Sequence, residues 1–211
     1  MYYLSRVEID TKNRRKISDL SHLGAYHNWV EQSFPLEVAA GERKRKLWRI
    51  DQLNDHRYLL VLSQSEPDLK SLEKYGIDGT GKCLKYDLLL DSLKENQKVS
   101  FRLMANPVRA VKGENRRGRI YPHVTVEQQM AYLESRAQGL GFSLEPEDYN
   151  IVQRDFPILR KKGGISVKLA RAVYEGSLTI KDADIFRKTL TEGIGREKAY
   201  GFGMMTILPR G

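Results

Sequence analysis

Gly193-Ile194-Gly195-Arg196-Glu197-Lys198-Ala199-Tyr200-Gly201-Phe202-Gly203 is the stretch around which the rest of this sequence is arranged. Four glycines in eleven positions let several backbone N–H groups converge without Cβ obstruction, and Arg196 and Lys198 add positive charge at the same place. Ahead of it, Asp182 stands where an N-cap belongs. Ile185, Phe186 and Leu190 then recur at helical spacing, so residues 182–192 read as a helix that Gly193 ends. Behind it, Met204 to Leu208 reads as a short closing strand. The loop has two readings, turn geometry alone or a contact with a phosphate backbone. It is not a P-loop, because no Gly-Lys-Ser/Thr follows at the required spacing, and not a dinucleotide fingerprint, because it follows a helix instead of opening one.

Working outward, the same plan occurs twice. Residues 2–10 alternate as a strand, with Tyr3, Ser5, Val7 and Ile9 on one face. Leu20, Leu23, Tyr26/His27 and Val30 place a helix over 17–34, with Gly24 as a possible interruption and Pro35 as its stop. Residues 46–51 and 58–63 read as a hairpin around Gln52-Leu53-Asn54-Asp55, and 68–75 as a short helix; the section to Gln97 is weakly patterned. In the second half, strand 99–105 leads to hairpin arms 108–111 and 120–124. A helix over 126–138 follows, then strands 142–144 and 152–159, a longer strand over 165–180, and the closing unit. Two β-α-β-β-α-β sets predict an α+β protein of two tandem ferredoxin-like domains, residues 1–96 and 97–211.

Charge separates the halves. Residues 1–97 hold 16 Lys/Arg against 15 Asp/Glu, a balance of +1, whereas 98–211 hold 20 against 12, a balance of +8. The excess suits a polyanionic partner, since neutralised phosphates release counterions, or a solubilising surface. The single Cys83 excludes an intramolecular disulfide, and no Cys/His cluster has zinc spacing. No metal or cofactor is expected. The N-terminal strand lacks a secretory apolar region and no apolar run approaches a membrane span, which points to a cytoplasmic protein.

The basic residues fall on exposed-looking tips. Arg160, Lys161 and Lys162 end a strand before Gly163-Gly164, and Arg116, Arg117 and Arg119 sit on the earlier hairpin; with Gly195, Arg196, Lys198, Gly201 and Gly203 they form the candidate RNA-binding set. Solvated turns are the competing reading for each tip. Tyr121, Tyr174 and Phe202 could stack on bases or be buried in strand packing. Of the four histidines, His22 and His27 share the first helix but, five residues apart, cannot form an i, i+4 metal pair. His27, beside Tyr26 and Asn28, is either a packing residue or a proton-transfer group. RNA supplies its own nucleophile in the 2′-OH, so a histidine with a pKa near ~6.5 and cations by the phosphate would suffice to cleave it.

Taken together, several segments resemble the CasE family, the endoribonucleases that process CRISPR repeat RNA within the Cascade complex. They are Tyr3-Leu4-Ser5-Arg6-Val7, the helix around His27, Phe101-Arg102-Leu103-Met104-Ala105-Asn106-Pro107, Tyr174-Glu175-Gly176-Ser177-Leu178-Thr179, and the glycine loop. The resemblance implies two ferredoxin-like domains that clamp an RNA stem-loop. It implies metal-independent cleavage at the 3′ side of the stem, leaving a 2′,3′-cyclic phosphate, and product retained with the other Cascade subunits. His27 takes the place of the catalytic histidine, with Tyr26 as its candidate helper. Three positions before and five after His27, where relatives carry a tyrosine and a basic residue, stand Gly24 and Gln32. The alternatives are a non-catalytic subunit of the wider RAMP group that binds or scaffolds guide RNA, and a general RRM-like RNA binder, which the missing aromatic RRM submotif disfavours.

Overall fold

The alternation at the N-terminus becomes strand β1 (Tyr3–Glu8) in the computed structural model, which describes residues 1–113, 116–160 and 163–209. Helix α1 (Leu23–Gln32) starts later than the apolar spacing predicts. Ile17 and Leu20 do pack against the core, but their backbone runs in turns, and the His22 imidazole caps the helix by accepting the Gly24 N–H at 3.1 Å. A capping side chain at residue 22 offers the backbone a better partner than one more helical turn. Pro35 ends α1 as expected and then opens a second short helix, α2 (Pro35–Ala40), at the position where its missing N–H costs nothing.

The expected hairpin is β2 (Leu47–Leu53) and β3 (His56–Ser63), turning at Asn54 with φ 54°. Asp68 caps α3 (Leu69–Leu72), and the weakly patterned section holds β4 (Lys82–Lys85) and α4 (Asp87–Ser92). The antiparallel sheet runs β2-β3-β1-β4, the strand order of a ferredoxin-like unit. Trp29, Val30, Trp48, Leu59, Val61 and Leu72 form its core, and the buried Trp29 indole donates to the Leu72 carbonyl at 3.0 Å.

The second set begins with β5 (Lys98–Ala105), a separate hairpin of β6 (Val108–Gly113) and β7 (Arg116–Pro122), helix α5 (Val126–Ala137), and strands β8 (Phe142–Ser143) and β9 (Tyr149–Asp155). A small two-stranded sheet, β10 (Ile158–Arg160) with β11 (Ser166–Lys168), precedes β12 (Arg171–Ile180), α6 (Ala183–Glu192) and β13 (Met205–Pro209). The single strand expected over 165–180 is therefore two, parted at Leu169, whose N–H goes to the Pro157 carbonyl. The main sheet runs β13-β5-β12-β8, with β9 also paired to β12, and repeats the strand order of the first. The architecture is α+β with two ferredoxin-like sheets.

Packing divides the chain into two units whose boundaries do not follow sequence order. Ile158–Val167 and Lys198–Gly201 belong with Met1–Ser92, and the remainder forms the other unit. Among the described residues no helix is long and apolar enough to cross a membrane.

Candidate active site

His27 lies in the second turn of α1, one residue before the segment that buries Trp29 and Val30. It is half-buried on the wall of a cavity of about 420 Å³, lined also by Glu31, Arg43, Lys44, Arg45, Lys46, Lys198 and Ala199. Glu31 is one helical turn along from His27, so the two share a face. The four consecutive cations come from the segment entering β2, and Lys198 and Ala199 from a single 3₁₀ turn, Lys198–Tyr200. Tyr200 from that turn meets the His27 ring edge-on, with centroids 5.5 Å apart.

The cavity's cations differ in what holds them. Lys46 is 6 % exposed and its Nζ donates to Glu37 at 2.7 Å and to Glu31 at 3.4 Å, so it is spent inside the fold. Burial, the largest single influence, would raise the Glu37 pKa, but the hydrogen bonds from Lys46, Ser65 and the Lys44 backbone and the Lys46 charge together outweigh it and hold the carboxyl below its ordinary value. Arg43, Lys44 and Arg45 are exposed. His27 is held below the ordinary imidazole pKa, chiefly by burial; Glu31 pulls it upward, Arg43 and Lys46 downward, and the nearby Ala199 backbone upward. At neutral pH the ring is thus a neutral base beside several positive charges, a combination suited to taking a proton next to a phosphate. Among the described residues, no group of three or more His, Cys, Asp or Glu side chains could hold a metal ion.

Of the candidate residues, the structure brings His27 and Lys198 together in this cavity. Tyr26 is directed elsewhere: it packs against the core, its ring 6.0 Å from Trp48 and 6.4 Å from Trp29. Arg160 is exposed at the end of β10, Arg119 is exposed on β7 and Arg196 is exposed beyond α6. Lys161 and Lys162 lie outside the described residues, as do the side chains of Arg116 and Arg117. Three glycines of the loop lie where a Cβ would collide with a neighbour. Gly201 (φ 85°) lies over Trp48, where a Cβ would come within 2.7 Å of the ring. Gly203 (φ 82°) is pressed against the Ile194 carbonyl, and its N–H is committed to Met104 at 2.6 Å. At Gly195 (φ 77°) a Cβ would meet the Tyr132 hydroxyl. Tyr174 and Phe202 are buried, whereas Tyr121 is 42 % exposed.

Sequence reasoning missed Arg43, Lys44, Arg45 and Tyr200. A signal existed for the first three, since Arg43-Lys44-Arg45-Lys46 is a run of four cations. Counting charge by halves averaged it away against the acidic residues of the same half. Tyr200 carried no such signal, its neighbour His27 being far off in sequence.

The family model for CRISPR associated protein matches residues 2–209. The chain is 25 % identical to the CRISPR-associated endoribonuclease Cse3 of Thermus thermophilus over 98 % of this chain and all of that protein. It is 30 % identical to the CRISPR system Cascade subunit CasE of Escherichia coli over 52 % of this chain and 57 % of the other. A solved structure of T. thermophilus Cse3, bound to an RNA representing a pre-cleavage complex, superposes with a TM-score of 0.80 at 26 % identity, covering 99 % of each chain. The likeness runs through both ferredoxin-like sheets and through the helix that carries His27, and on that extent the chain belongs to the CRISPR associated protein family, within which it is of the CasE type.

Proposed function

We propose that this protein is the endoribonuclease that matures CRISPR repeat RNA, binding the repeat stem-loop, cutting at the 3′ side of the stem and staying with its product inside Cascade. The observation that carries the reading is a half-buried His27, its pKa held down by burial, on the wall of a cavity lined by cations. In this scheme His27 takes the proton of the 2′-OH, and the oxygen attacks the adjacent phosphorus. The P–O5′ bond breaks, the 5′-oxygen takes a proton from solvent water and leaves as a hydroxyl, the His27 imidazolium returns its proton to solvent, and a 2′,3′-cyclic phosphate remains. Arg43, Lys44 and Lys198 face the charge that builds on the phosphate oxygens. Because the nucleophile belongs to the RNA, the scheme needs no metal.

The test is incubation with a repeat-derived stem-loop in EDTA, with His27→Ala in parallel. Cleavage by the wild type and none by the variant is the expected result. Binding without cleavage by the wild type would leave the chain a guide-RNA scaffold, and cleavage abolished by EDTA would overturn the metal-free scheme.

A further inference from the structure

A single imidazole can act as a base only if one ring nitrogen keeps its lone pair toward the substrate, and a neutral histidine chooses between two tautomers by what its other nitrogen meets. Here the 3₁₀ turn packed against His27 carries the Ala199 carbonyl: Ala199 lines the same cavity as His27, and the Tyr200 ring meets the imidazole edge-on. That carbonyl is itself anchored: the indole N–H of Trp48 donates to it at 2.9 Å. Trp48 is 2 % exposed, set in β2, with Tyr26 stacked against its ring at 6.0 Å. Gly201 allows the turn to lie directly on the indole, since any Cβ there would enter the Trp48 ring. The tryptophan is thus fixed by the core while its single polar atom reaches the backbone next to the base.

We propose that Trp48 is a positioning residue for His27. Its indole N–H orients the Ala199 carbonyl, the carbonyl accepts one imidazole N–H, and the other ring nitrogen is left unprotonated toward the basic cavity. A carbonyl oxygen has two lone pairs, so it can accept from both donors at once. Trp48 touches no reacting atom in this arrangement; it acts through the turn, as supporting groups behind a base do elsewhere. The same placement gives Tyr26 a role as packing behind the indole, which fits its turn away from the cavity. The inference rests on the reading of His27 as the base.

The experiment replaces Trp48 with 3-benzothienylalanine, which keeps the ring shape and exchanges the N–H for sulfur, alongside Trp48→Phe. Melting curves identify which variants are folded. In the free protein, ¹⁵N spectra of the His27 ring are expected to change from one tautomer to a mixture. With repeat stem-loop, kcat is expected to fall about ten- to a hundredfold while KM stays within twofold. Retention of one tautomer and full kcat in the folded benzothienyl variant would overturn the proposal, as would a loss confined to KM. If the wild type fails to cut repeat RNA, the functional reading fails, yet the tautomer spectra still decide whether Trp48 positions His27.

Discussion

The two ferredoxin-like units place a polar residue near the start of the first helix of each, and they treat it in opposite ways. On α5 the residue is Gln129, 2 % exposed, whose amide donates to the His123 carbonyl at 2.9 Å and accepts from Arg154 at 2.8 Å, while its own carbonyl accepts from the buried Tyr174 hydroxyl at 2.7 Å. Every polar atom of that side chain is satisfied, and it locks the helix to its surroundings. On α1 the residue is His27, half-buried on the wall of a charged cavity with the Tyr200 ring edge-on against it. The difference teaches how to separate a structural polar residue from a candidate catalytic one on a shared scaffold: saturation of its hydrogen bonds, more than its burial.

The comparison breaks most readily on cleavage. His27→Ala is expected to slow cleavage by ~10² to 10⁴-fold with stem-loop affinity nearly intact, because binding is spread over many phosphates. Gln129→Leu is expected to do the reverse, costing about 1–3 kcal/mol of stability in denaturant unfolding and leaving cleavage per folded molecule unchanged. Equal losses of rate in the two variants would erase the distinction. Next in size, Arg43→Gln combined with Lys44→Gln is expected to lower kcat about tenfold and to flatten the dependence of log affinity on log salt by about 0.7 to 0.9 per lost phosphate contact. An unchanged salt slope removes these residues from the interface.

The pH profile sharpens the contrast further. The lowered His27 pKa means that the ring stays neutral below the ~6.5 of a free histidine, so the rising limb of kcat against pH should have its midpoint below that value. The sign for stability follows: folding favours the neutral ring, so this contribution is fully present above the unfolded pKa and is lost as pH falls through the folded one. A midpoint at or above ~6.5 would contradict the burial argument. The smallest expected effect belongs to His22, whose imidazole caps α1: His22→Ala should cost roughly 0.5–1 kcal/mol in thermal unfolding and leave cleavage normal. Loss of cleavage in His22→Ala would show that the entry to α1, and not only His27, belongs to the site.

Local signals were legible in the sequence wherever the backbone has a short-range reason to stop or turn. Asp182 caps α6 by accepting the Ile185 N–H at 2.8 Å, and Gly193 ends that helix at φ 76°. The helix expected from Ile17 was too long because apolar spacing reports burial, which Ile17 and Leu20 do have, and not hydrogen bonding, which their backbone makes in turns. β4 left little pattern because three of its four residues are exposed. The candidate base was legible through its resemblance to relatives, while its surroundings were not: Trp48 meets Ala199 across 151 positions of sequence, and no periodicity carries such a contact. The Gly24 position also has a local reason. A Cβ there would come within 2.9 Å of the capping His22 ring, so this chain's cap and a side chain at residue 24 exclude one another.

The scattered membership of the first unit has a consequence for the time order of synthesis. Its bulk, Met1–Ser92, emerges early, but Lys198 and Ala199 follow roughly a hundred residues later, which at ~5–20 residues per second is on the order of ten seconds on the ribosome. Until then His27 has neither the turn packed against it nor one of the cations beside it. A nascent chain therefore carries His27 past the RNAs that crowd a polysome before the complete cavity around it has formed.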